Sequence, residues 1–157
     1  MSLKAAMWIH GTSAQVEDPK GLIANGVLRR GWGTSFFGHS GSFNWFHVAI
    51  PTPVILDDAR PRLVKVFVFY KSLSGSIKNI HVWDGATRVK SFNGLSLSGD
   101  HGLGIDAANT WAIDPPLTIR FGLGISIGVQ FNTNFDTSDT VDKLEFLITT
   151  AGADFQP

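Results

Sequence analysis

The chain has 157 residues, no cysteine, and 13 basic against 13 acidic side chains, so that its net charge is zero. This length fits a single domain covering residues 1–157, and the charge balance lacks the basic footprint of a nucleic-acid-binding protein. Without cysteine the chain forms no disulfide, no zinc–thiolate centre and no thiol nucleophile.

The sequence contains neither a membrane span nor a visible signal peptide. No stretch approaches the ~18 apolar residues that a membrane-crossing helix needs. The apolar run at residues 5–9 is too short for the core of a secretory signal. We therefore expect a soluble protein, and the lack of cysteine weakly favours a reducing, cytoplasmic compartment.

Short apolar and alternating segments, separated by turn residues, follow one another along the chain. Asp84-Gly85 and Asn93-Gly94 are typical of hairpin turns. No window shows the 3.6-residue apolar repeat of a helix. In chain order the predicted strands cover residues 4–10, 27–37 (interrupted by Gly31 and Gly33), 44–50, 63–70, 77–83, 87–92, 95–98, 117–131 and 143–150.

The clearest pattern is the run at residues 117–131, where large apolar side chains alternate with small or polar ones. This period of two predicts a strand with one buried face. The run would extend about 50 Å at ~3.3 Å per residue, which is long for one strand. We therefore expect a bend near Gly122–Gly124, with the run serving two strands or one strand that crosses between sheets. The apolar positions are Leu117, Ile119, Phe121, Leu123, Ile125, Ile127, Val129 and Phe131.

These patterns together predict the fold class. Many short strands at regular spacing favour an all-β, antiparallel, two-sheet β-sandwich. At this length the architecture that we expect is a jelly roll of about 8–10 strands.

One segment matches a catalytic motif. Gly124-Ile125-Ser126-Ile127-Gly128 has the Gly-x-Ser-x-Gly spacing of a nucleophile elbow. The elbow requires a sharp turn from a strand into a helix, whereas these residues continue the β alternation. We interpret Ser126 as a solvent-side strand residue, and no catalytic residue is assigned from the sequence.

Three predicted strands each carry a tryptophan and a histidine two positions apart, which places both side chains on one face. Such residues are also ordinary at half-buried packing or interface positions. If the strands converge, indoles and imidazoles could bind an organic ligand, and His10, His47 and His81 could hold zinc. The candidate ligand-binding residues are Trp8, His10, Trp45, His47, His81 and Trp83, with Trp111 and His101 added from glycine-rich surroundings.

A second metal hypothesis concerns a loop with three carboxylates, Asp136, Asp139 and Asp142. Oxygen-rich loops suit calcium, although this spacing is not that of an EF-hand. A solvated connection between strands explains the same residues without any metal.

The aromatic-rich strands and glycine-rich loops give the chain a general character that resembles small bacterial β-sandwich binding modules, including lectin-like and carbohydrate-binding domains. Low charge and an aromatic excess also favour association with a second copy. We therefore expect a non-catalytic binding or assembly module that tends to form homo-oligomers and takes a carbohydrate or another small organic ligand. The alternative is a small β-sandwich enzyme that uses the His/Trp-lined site, with or without zinc.

Overall fold

The computed structural model describes residues 2–133 and 144–157, and in this part of the chain it contains β-strands and no α-helix. Two single turns of 3-10 helix lie at Gly11–Ser13 and Pro19–Gly21. The prediction of an all-β fold is confirmed. The strands are β1 (Ala5–His10), β2 (Gln15–Val16), β3 (Leu22–Arg30), β4 (Gly33–Gly38), β5 (Phe43–Ile50), β6 (Arg62–Asp84), β7 (Thr87–Phe92), β8 (Leu97–His101), β9 (Thr110–Thr118), β10 (Leu123–Phe131) and β11 (Leu144–Gln156).

Strand β6 runs through the middle of the sheet and has partners along both edges. It joins the segments 63–70 and 77–83, which the sequence predicts as separate strands, into one strand of 23 residues. Along one edge it pairs first with β11 and then with β10, all antiparallel. Its other edge carries β9, β8 and β7. A strand of this length can serve as a common edge because its partners change near its middle.

Two sets of strands, called branches below, extend from β6 and face each other. One branch runs through β10 and β5 to β2, and the other runs through β11 to β4 and β3, with β1 also on β11. Phe46 of β5 contacts Phe36 of β4 and Phe146 of β11, with ring centroids 4.6 and 5.1 Å apart. The core therefore lies between the branches of one curled antiparallel sheet, a half-barrel. The two separate sheets of a jelly roll are not confirmed, because all described strands are hydrogen-bonded into one sheet.

The long apolar run at residues 117–131 is divided between the last two residues of β9 and the whole of β10. β9 ends at Thr118 and β10 begins at Leu123, after Gly122 with a φ of +151°, so the predicted break near Gly122 is confirmed. The odd positions of β10 are buried in the core. Phe121 departs from the pattern, since it lies in the turn between the two strands and is 82% exposed.

The C-terminal segment belongs to the core. β11 continues past the predicted end at residue 150, and its second half lies between β1 and β6. Ala151, Ala153 and Phe155 are fully buried there. Among the described residues, no helix is long and apolar enough to cross a membrane.

Candidate functional site

The candidate site lies on the outer face of the branch formed by β2, β5, β10 and β6. Alternation sends the odd residues of β10 into the core and the even residues outward. Ser126 of β10 stands directly between His47 of β5 and His81 of β6 in the strand register. Gln15 of β2 extends the same row beyond His47. Four strands thus place polar side chains side by side on one surface.

Two of these side chains, His47 and Ser126, form a hydrogen-bonded chain with Glu17. The Nδ1 atom of His47 lies 2.8 Å from Ser126 Oγ, and its Nε2 atom lies 3.0 Å from a Glu17 carboxylate oxygen. Glu17 is held on the edge of β5 because its backbone N–H donates to the carbonyl of Trp45. Ser126 points away from the core, as predicted from the alternation. It is only 6% exposed, however, so the prediction that it faces solvent is wrong.

The neighbouring row is filled by aromatic rings. The indole of Trp45 leans across Gly128 and packs against the His81 ring, with centroids 4.8 Å apart. Phe43 meets the same indole edge-on at 5.5 Å. His81 Nε2 is 2.9 Å from the Asn93 side-chain oxygen, which fixes its ring. Trp45 and His81 therefore pack on each other beside the hydrogen-bonded chain.

On the opposite side of Ser126 the surface opens into a cleft of about 490 Å³. Its floor is open because Gly124 has no side chain, and a Cβ there would reach only the Cβ of Trp83, at 3.7 Å. Trp83 forms one wall, and its buried indole nitrogen has no hydrogen-bond partner among the described residues. The residues that line the cleft are Ser13, Gln15, Glu17, His47, Val48, Ala49, Trp83, Gly85, Gly124, Ile125 and Ser126.

Two of the three predicted Trp/His pairs thus come together, and the third lies elsewhere. Trp8 packs on Phe67 and Phe69 of β6, over Gly152. His10 lies at the end of β1, where its Nδ1 atom accepts the backbone N–H of Thr12.

The zinc site predicted from His10, His47 and His81 is not formed. In residues 2–133 and 144–157, no three histidine, aspartate or glutamate side chains come close enough to hold a metal ion. The calcium hypothesis at Asp136, Asp139 and Asp142 falls outside the described residues.

The two candidates from glycine-rich segments also lie away from the cleft. Trp111 is 7% exposed and belongs to the core, since it lies on the inner face of β9. His101 contacts Asp106 through Nδ1 at 2.7 Å and the Ser98 carbonyl through Nε2 at 3.0 Å. The hydrogen bond to Asp106 raises the pKa of His101 above its usual range, despite the opposing effect of burial.

Sequence reasoning missed Glu17 and Gln15 and set Ser126 aside. Ser126 and His47 are 79 positions apart, and only the antiparallel register of β10 with β5 makes them neighbours. Glu17 follows a strand of two residues, which is too short to leave a periodic signal. The Gly-x-Ser-x-Gly pattern did point to Ser126, but the structure places it on a regular strand without an elbow.

Comparison with known proteins assigns a family without assigning an activity. No curated protein matches the chain. One family matches residues 2–156, nearly the whole sequence, including every residue of the cleft. The chain therefore belongs to DUF6623, a family of unknown function.

Proposed function

We propose that the protein is a binding module for a small organic ligand, with a carbohydrate as the leading class, and that the ligand lies in the cleft beside Ser126. The observation that carries the proposal is the cleft itself. It combines an indole wall, a floor without a side chain at Gly124, and polar groups from β2 and β5. Concave sites with apolar walls and a few polar groups are the usual form of small-ligand sites.

The chemistry of the lining suits a saccharide. The apolar face of a pyranose ring packs on an indole, and Trp83 offers one at the side of the cleft. Sugar hydroxyls need donors and acceptors at the rim, and Ser13, Gln15 and Glu17 supply both kinds. In the described residues the Gln15 side chain makes no hydrogen bond, so its amide is available to a ligand.

A glycan array followed by calorimetric titration of any hit tests this proposal. We expect Trp83→Ala to weaken binding at least about tenfold, or ~1.4 kcal/mol, because the stacking wall is removed. Trp32→Ala is the matched control, since Trp32 is 57% exposed in the turn between β3 and β4 and does not line the cleft. A blank array, or a hit that binds equally well to Trp83→Ala, would overturn the carbohydrate proposal.

Self-association is a second proposal, supported by exposed apolar side chains. Leu103 is 95% and Ile105 is 66% exposed on the same short loop between β8 and β9. The loop is held in shape, because the Asn109 side chain donates to the carbonyls of His101 and Gly104. We expect light scattering across a dilution series to show a species larger than 17.0 kDa, and Leu103→Ser with Ile105→Ser to shift it toward monomer. A monomer at every concentration would contradict this.

A further inference from the structure

The hydrogen-bonded chain in the cleft has the order of a nucleophile, a base and an acid. We propose that Ser126 is an acyl-accepting nucleophile, with His47 as its general base and Glu17 as the group that orients the base. The substrate class is a small ester whose carbonyl enters over Gly124. This inference rests on the proposed function in one respect only, namely that the cleft admits an organic ligand.

The contacts of His47 select the tautomer that such chemistry needs. A neutral imidazole has one N–H and one free nitrogen, and a carboxylate can only accept. Because Glu17 faces Nε2 at 3.0 Å, the proton lies on Nε2 and Nδ1 is left to accept from Ser126 Oγ at 2.8 Å. This is the arrangement in which a third group orients the base and stabilises the imidazolium as it forms.

The surroundings of the Ser126–His47–Glu17 chain contain more than packing requires. A buried serine hydroxyl needs one hydrogen-bond partner, and His47 provides it. Neither Glu17 nor the open cleft is required for that purpose, yet both meet at the same imidazole. The Gln15 amide, opposite His47 on β2, supplies an N–H donor in the same cleft for the oxygen that becomes negative.

The reaction balances with water as the second reactant. Ser126 Oγ adds to the ester carbonyl carbon while its proton passes to His47 Nδ1. The carbon–oxygen bond to the alcohol then breaks, and the alcohol leaves with that proton. Water attacks the acyl-serine, giving its proton to His47, and the bond to Oγ breaks as Ser126 recovers a proton. One ester and one water become an acid and an alcohol, with no oxidation or reduction.

Covalent labelling with a fluorophosphonate tests the nucleophile directly. We expect the whole protein to gain one probe mass, located by peptide mapping on Ser126, and Ser126→Ala to gain none. His47→Gln keeps a hydrogen-bonding side chain but no strong base, and should slow labelling about 100-fold or more. His10→Gln is the matched control, because the His10 ring hydrogen-bonds with Thr12 and lies outside the cleft.

A second readout separates this inference from the binding proposal. Glu17→Gln should slow labelling while leaving the melting temperature near that of the wild type, because Glu17 is exposed at the rim. Labelling that is absent, that falls on other serines, or that proceeds equally fast in folded His47→Gln would overturn the nucleophile. If the protein binds a saccharide but is not labelled, only the nucleophile inference is overturned. If it is labelled but binds no saccharide, only the carbohydrate proposal is overturned.

Discussion

Asp84 Oδ1 accepts the backbone N–H of Phe121 at 2.8 Å, and this contact ties the end of β6 to the turn between β9 and β10. The same carboxylate also accepts the N–H groups of Arg120 at 2.9 Å and Gly122 at 3.3 Å. The turn residues have left the β ladder, so their donors need another partner. One buried carboxylate satisfies three of them and so fixes where β10 begins, one residue before the floor of the cleft.

Replacing Asp84 should therefore destabilise the fold. We expect Asp84→Ala to lower the free energy of unfolding by about 1–3 kcal/mol, the cost of leaving part-buried donors without their partner. Urea denaturation followed by circular dichroism measures this. Asp58→Asn is the control, because Asp58 is exposed and its positive φ of 59° suits asparagine. A loss no larger than that of the control would show that the turn holds without the carboxylate.

The Asp84 carboxylate should also make the stability of the fold depend on pH in the acid range. Burial acts to raise the pKa of Asp84, but the backbone hydrogen bonds from Arg120, Phe121 and Gly122 outweigh it and lower that pKa below its ordinary value of 3.8. A group whose pKa is depressed by folding stabilises the protein above its unfolded value and loses that contribution as the pH falls through its folded value. Stability should thus decline below about pH 4 in the wild type and less steeply in Asp84→Asn. Parallel profiles for the two proteins would contradict this.

Ile119 and Phe121 have the same parity in the sequence but opposite environments. Ile119 is 1% exposed, whereas Phe121 is 82% exposed. We expect Ile119→Ala to cost about 2–5 kcal/mol, because it leaves a cavity in the core, and Phe121→Ala to cost less than ~0.5 kcal/mol. Denaturant unfolding of the two variants makes each the control of the other. Equal losses would mean that Phe121 is covered in solution, for example by a second copy.

Ile119 and Phe121 show which features of the fold can be predicted from the sequence. Alternation is a local property, so it correctly predicts the buried face of β10 from the residues themselves. The departure at Phe121 depends on Asp84, which is 37 positions away, and local periodicity carries no information about that contact. The cleft has the same limitation. His47 and Ser126 can each be recognised as notable residues, but only the strand register brings them within 2.8 Å.

The loop that carries Leu103 should respond to pH through His101. Both ring nitrogens face acceptors, Asp106 and the Ser98 carbonyl, so the doubly protonated ring satisfies both while the neutral ring satisfies only one. The hydrogen bond to Asp106 raises the pKa of His101 above its ordinary value of 6.5. Its stabilising contribution is therefore fully present below about pH 6.5 and is lost as the pH rises through the folded value.

NMR titration of the imidazole protons checks this prediction. In Asp106→Asn we expect the His101 midpoint to move back toward about 6.5, because the carboxylate partner is gone. Asp58→Asn is the control, because Asp58 does not act on the pKa of His101, and it should leave the His101 midpoint in place. An unchanged His101 midpoint would show that the carboxylate is not its partner in solution.

On the outer face of the branch that contains β11, the close packing of Trp8 can be tested. The Trp8 ring stacks on Phe67 with centroids 4.9 Å apart, and it occupies the space above Gly152. A Cβ on Gly152 would lie 2.6 Å from Trp8 Cε3, so Gly152→Ala must push the indole off its stack. We expect this substitution to cost about 1–3 kcal/mol, the usual range for overpacking, and to change the tryptophan fluorescence.

A double-mutant cycle isolates the cause of that cost. In a Trp8→Ala background the ring is absent, so adding Gly152→Ala should cost clearly less than it does in the wild type. The difference between the two costs, measured by urea denaturation, is the coupling between Trp8 and Gly152. If Gly152→Ala costs the same in both backgrounds, the strain arises in the β11 backbone rather than at the indole.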